Sequence, residues 1–200
     1  MPLLFAYLAV ILIWSSTPLA IQLSQQDLPF YTALSLRMWG SAILSIPLLM
    51  ILRQSLIFTP QAFKSYAAGA IGVYGAMMFV YWGAAYVPSG LISVMYGLSP
   101  MLSGILGYIW LKERELTPAR VIALVLGLVG LYVVIMGQLT LGSKAWQGIL
   151  GTLLSVLCFA TSAVAVKQVD AGLHPLVQTS GTLWLSVSYT HLTLPTILLV

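Results

Sequence analysis

The sequence predicts an all-α polytopic membrane protein, with one complete five-helix repeat followed by the first helices of an inverted second repeat. Three observations carry this prediction. First, 60% of the 200 residues are hydrophobic and only 6% are charged, whereas a soluble domain is about a quarter charged. Second, the apolar residues gather into seven segments, most of them about twenty residues long, the length that crosses a bilayer as a helix. Third, the first and sixth segments share an ordered pattern of side chains.

The segments run roughly from Leu3 to Leu23, Phe30 to Leu52, Tyr66 to Val87, Gly90 to Leu111, Pro118 to Met136 and Trp146 to Val166, with a last one beginning near Leu176. No water satisfies backbone groups in the lipid core, so each is expected to be a helix. The short connections make sequence neighbours antiparallel hairpins. The hairpin from Gly90 to Gly137 shows the pattern most plainly: its turn holds Lys112, Glu113, Arg114 and Glu115, and Arg120 follows.

Orientation follows from the basic residues. With the N-terminus inside, the inner connections hold Arg53, Lys64, Lys112, Arg114, Arg120 and Lys167, against Lys144 outside. Cytoplasmic loops carry the excess of Lys and Arg, so the N-terminus is expected in the cytoplasm of a cell (inner) membrane protein. The formal charge of +4 is scattered singly between apolar runs, which fits topology signals and not nucleic-acid binding. The first segment has neither a basic leader nor a small-residue cleavage site and is expected to be a retained span. Cys158 stands alone in an apolar run, which excludes a disulfide within the chain and makes it a small buried hydrophobe.

Two spans carry a proline near the middle. Pro18 follows Trp14-Ser15-Ser16-Thr17, and Pro100 follows Ser99. Proline cannot donate to the carbonyl four residues back, so the carbonyls of Trp14 and Tyr96 are freed at membrane depth. Two readings stand: structural kinks healed by neighbouring hydroxyls, or irregular points lining a polar cavity where a substrate binds. Arg37 lies well inside the second span, roughly 10 Å from its outer end at helical rise. It either snorkels to the interface or faces a cavity and attracts an anionic group. No acidic residue lies in any span to pair with it. In the third span Gly69, Gly72 and Gly75 read as close helix packing. Tyr81, Trp82 and Tyr86 read as an interfacial aromatic belt, with a cavity role for Tyr81 or Trp82 as the alternative.

The repeat aligns Trp14-Ser15-Ser16-Thr17-Pro18-Leu19-Ala20-Ile21-Gln22 with Phe159-Ala160-Thr161-Ser162-Ala163-Val164-Ala165-Val166-Lys167. Each copy is followed by a short polar linker and a proline, Pro29 or Pro175. An offset of five spans inverts the topology, the signature of transporters that alternate access between two sides.

The pattern Leu12-Ile13-Trp14-Ser15-Ser16-Thr17-Pro18, the Arg37 of the second span, and Leu98-Ser99-Pro100 followed by Trp110-Leu111-Lys112-Glu113-Arg114-Glu115-Leu116-Thr117 resemble an EamA domain of the drug/metabolite transporter superfamily. The resemblance covers residues 3–137 as a full repeat and the start of a second from about residue 143. It implies ten helices in two inverted five-helix repeats and secondary transport of small metabolites, as an exporter or exchanger. Glu113 matches the Glu of the family's fourth-span turn and is read as structural, since it sits at the membrane surface.

The chain therefore divides into a first repeat (3–137), a partial second repeat (143–186) and a tail (187–200). That tail reads Val-Ser-Tyr-Thr-His-Leu from Val187, which resembles a translated sequencing adaptor and is expected to be non-native. His191 then has no role, and His174 reads as a surface residue. The substrate is expected to meet Ser15, Ser16, Thr17, Arg37, Tyr96 and Ser99, with Thr161, Ser162 and Lys167 contributing from the second repeat. The expected partners are the lipid bilayer and a small metabolite such as an amino acid; proton coupling and a homodimer are left open. No catalytic residue, metal or cofactor is expected, since Asp27, Glu113, Glu115 and Asp170 fall in loops on both sides and the two histidines are unrelated in position. The rival reading is an accessory or scaffolding subunit that binds other membrane proteins through its glycine faces.

Overall fold

The computed structural model describes residues 2–112, 118–137 and 142–197. Among them only helices and connecting turns occur. The helices are α1 (Pro2–Ser24), α2 (Phe30–Ile51), α3 (Pro60–Ala84), α4 (Ser89–Leu111), α5 (Pro118–Gly137), α6 (Ala145–Val169) and α7 (Pro175–Ile197). Of these, α1, α2, α3, α4 and α6 are long and apolar enough to cross a membrane. The chain is an all-α, multi-pass membrane protein. Large apolar side chains such as Phe5, Leu12, Leu44 and Met50 face outward along α1 and α2, where lipid would cover them.

One helix departs from the uniformly apolar character of the others. The apolar residues of α7 are interrupted by Gln178, Thr179, Ser180 and Thr182, which lower its mean hydropathy. The third helix begins at Pro60, six residues before Tyr66. Thr59 accepts a hydrogen bond from the Ala62 N–H at 3.1 Å, and proline at the first helical position is already set for the turn. Helix α3 is thereby prolonged over the polar Gln61, Lys64 and Ser65.

Two helices are irregular inside the membrane. In α3, Ile71–Gly75 forms a π turn between two α-helical halves, closed by the Ala76 N–H on the Ile71 carbonyl. In α4 the helix stops at Tyr96, tightens through Gly97 and Leu98, and resumes at Ser99 with Pro100 in its first turn. The Gly97 and Leu98 N–H groups bond to Val94 and Met95, three residues back, each at 3.0 Å. Lys112 closes α4 in the left-handed conformation, at φ 54°. The predicted turn residues Glu113, Arg114 and Glu115 lie outside the described residues, as do the side chains of Arg120 and His191.

Helix α3 packs along α6, with α7 joining its first half and α2 packing on α7. Glycine makes the α3–α6 approach close. A Cβ placed on Gly83 would lie 2.9 Å from the Gly148 carbonyl oxygen, and one on Gly151 would lie 2.9 Å from the Phe79 carbonyl oxygen. Gly72 abuts Ser162 and Gly69 abuts Thr182, so these third-span glycines serve packing. Tyr81 is buried in the core and Trp82 lies against Gly151. Polar side chains tie the ends together. Gln22 donates to the Val87 carbonyl at 2.6 Å and Gln25 to the Tyr81 carbonyl at 2.7 Å. Towards the other end, Ser65 donates to Gln178 at 2.7 Å. His174 is exposed and accepts from the Leu176 N–H at 3.3 Å, at the start of α7.

Candidate functional site

A cavity of about 600 Å³ lies among α1, α2, α3, α4 and α6, within the size range of small-molecule sites. Pro18, inside the continuous α1, and Pro100, at the break in α4, both line it. From α1 come Ile13, Trp14, Ser15, Thr17, Pro18 and Ile21; from α4 come Ile92, Ser93, Tyr96, Gly97, Ser99 and Pro100. Arg37 is contributed by α2, Met77 and Val80 by α3, and Phe159 by α6.

The hydroxyls of α1 turn back on their own helix. Ser15 donates to the Leu12 carbonyl at 3.1 Å, and Thr17 to the Ile13 carbonyl at 2.6 Å. Such bonds relieve the turn before a proline and bend the helix. Trp14, Thr17, Pro18 and Ile21 then form one stripe at helical spacing along the cavity.

Arg37 is half-buried on the cavity wall and makes no hydrogen bond or ion pair with any described residue. The aromatic wall is continuous: Phe159 meets Trp14 edge-on at 5.5 Å between centroids and Tyr96 at 6.4 Å. Trp14 and Phe159 are the aligned residues of the internal repeat. Residues exchanged by a two-fold axis touch one another only near that axis, so their contact is what an inverted pair of helices would give at its centre.

The structure thus brings together Ser15, Thr17, Arg37, Tyr96 and Ser99, with Pro100 at the α4 break and Pro18 beside them; the expected break at Pro18 does not form, since α1 runs as one helix from Pro2 to Ser24. Four expected residues do not line the cavity. Ser16 is exposed and bonds to the Leu12 and Ile13 carbonyls. Ser162 donates to the Gly69 carbonyl at 3.3 Å, within the α3–α6 packing. Thr161 lies about 200° around α6 from Phe159 and points elsewhere. Lys167 is exposed near the end of α6. Sequence reasoning missed Phe159 as a wall residue, although the repeat alignment with Trp14 held the signal. It also missed Met77, Val80 and Ile92, which carried none.

Chemically, the cavity offers one cation, a few hydroxyls and an apolar, aromatic lining. Among the described residues no group of three His, Cys, Asp or Glu is placed to hold a metal ion. The model of the EamA-like transporter family matches residues 1–136. The chain belongs to that family. A relative named an uncharacterized transporter, from Buchnera aphidicola subsp. Schizaphis graminum, is 24% identical over 171 residues. That match covers 83% of this chain and 56% of the relative, so the EamA-like chain spans just over half the relative's length. No solved structure matches the chain.

Proposed function

We infer that this EamA-like chain belongs to a secondary transporter that exports or exchanges small metabolites bearing a carboxylate, such as amino acids, with the cavity as its substrate site. The observation that carries this reading is Arg37. A guanidinium at membrane depth that pairs with no described residue is costly, and a substrate carboxylate would offset that cost by pairing with it. The aromatic wall formed by Trp14, Phe159 and Tyr96 would take the apolar body of the same molecule. The discontinuous α4 is the kind of helix that builds midplane sites in transporters.

The rest of the reading follows the charge pattern and the repeat. The N-terminus is cytoplasmic in the inner membrane, residues 3–137 form the first repeat, 143–186 begin the second, and 187–200 are a non-native tail. Transport then belongs to a longer protein with a complete second repeat. Uptake of labelled anions into vesicles bearing that full-length protein tests it. Arg37→Ala is expected to lower uptake at least about tenfold, the loss of a single charge-assisted contact, while the amount of protein in the membrane stays unchanged. Full uptake by the variant across an anion panel sinks the reading. Imposing a pH gradient in the same vesicles separates proton coupling from exchange, and cross-linking tests the homodimer.

A further inference from the structure

Ser155 lies on α6 one turn before Phe159 and is fully buried. Its hydroxyl donates to the Ala76 carbonyl at 2.6 Å. A serine hydroxyl has one proton, and this bond uses it. The Tyr96 hydroxyl, 2.5 Å from Ser155 Oγ, is therefore the donor in their shared bond. A directed chain results, from Tyr96 through Ser155 to the Ala76 carbonyl, and it leads out of the cavity into the α3–α6 seam. Ala76 follows directly on the π turn of α3, a feature found often at functional sites.

The consequence concerns what Tyr96 shows to the cavity. Its proton is committed to the seam, so the ring, and not an O–H donor, forms the wall beside Arg37 and Phe159. An acceptor is what a phenol needs in apolar surroundings. With Ser155 removed, the hydroxyl would have to turn elsewhere, and the cavity is the open direction.

We propose that Ser155 is a positioning residue that sets specificity: by holding the Tyr96 hydroxyl in the seam it keeps the wall apolar and favours anions with an apolar body over small hydroxylated anions. This rests on the reading of the cavity as an anion site. Ser155 touches no substrate and acts only through Tyr96.

The test is equilibrium binding of labelled benzoate and labelled glycolate to the full chain in lipid nanodiscs, with thermal unfolding recorded for each variant. The wild-type chain is expected to prefer benzoate, and Arg37→Ala to weaken both anions. Ser155→Ala should reduce the preference for benzoate over glycolate about tenfold, the effect of one misplaced polar group. Adding Tyr96→Phe to Ser155→Ala should restore the preference to within about twofold, because no hydroxyl remains to turn inward. An unchanged preference in Ser155→Ala, or one that Tyr96→Phe does not restore, overturns the proposal. So does an equal loss for both anions together with a lowered unfolding temperature, which marks a purely structural serine. Binding that depends on Arg37 but ignores Ser155 overturns this proposal alone. A wild-type chain that binds neither anion removes the anion-site reading and the proposal with it.

Discussion

Helix α3 takes part in two interfaces of opposite construction. Towards α6 it presents Gly72, against the Ser162 side chain, and Gly83, where a single added carbon would lie 2.9 Å from the Gly148 carbonyl oxygen. Towards the cavity it presents Met77 and Val80, opposite α1 with its Pro18 and α4 with its break before Pro100. In lipid no hydrophobic effect drives helices together, so close backbone packing supplies much of the attraction. The glycine seam therefore holds the bundle, while the broken α4 opens space within it. The two regions should respond to substitution in opposite ways.

The largest effect is expected at the seam. Gly151→Val places carbon where the Phe79 carbonyl oxygen would lie 2.9 Å away and the Gly83 Cα 3.1 Å away. Both neighbours are backbone and cannot rotate aside, so the loss should be about 3 kcal/mol or more, at the upper end of overpacking costs. Thermal unfolding in detergent measures it, and a variant as stable as the wild type would mean that the seam is looser than described.

Pro100→Ala probes the other region and should separate stability from binding. The new N–H can reach the Tyr96 carbonyl and let α4 run on through Gly97 and Leu98. Its unfolding temperature is expected to stay level or rise. Anion binding should fall about tenfold, because Tyr96 and Ser99 leave their places on the wall and small misplacements weigh heavily in a built site. A drop in stability with binding intact would reverse the assignment of roles.

The difference between the regions also explains how much could be read from the chain. Helix length, the break at Pro100 and Arg37 deep in a span were legible, because each depends on local chemistry, whereas at Pro18 the Ser15, Ser16 and Thr17 hydroxyls bond to α1 carbonyls and the helix runs on. A missing N–H or an unpaired cation acts wherever it is put. Met77, Val80 and Ile92 were not legible, since a cavity-facing aliphatic residue has the same composition as a lipid-facing one. In a helix that is apolar all round, only packing decides which side turns inward. Ser162 shows the limit most clearly. It lies close to the Phe159 face of α6, one turn further on, but there Gly69 and Gly72 let α3 close over it. The α6 hydroxyl that bonds to a cavity residue is Ser155, on the seam side of Tyr96, which the nine-residue repeat match did not reach.

The smallest expected effect is the one that isolates position from residue type. Gly104 sits on α4, and a Cβ built on it would meet nothing within 4 Å. Gly104→Ala should therefore leave the packing untouched and stabilise the helix by at most about 1 kcal/mol, the propensity difference between the two residues. The same single carbon is added as at the seam, with the opposite sign of effect. Thermal unfolding of Gly104→Ala beside Gly83→Ala decides the matter: a similar loss in both would show that glycine is needed along these helices generally, whereas a loss at Gly83 alone ties the requirement to the Gly148 carbonyl that stands 2.9 Å from its added Cβ.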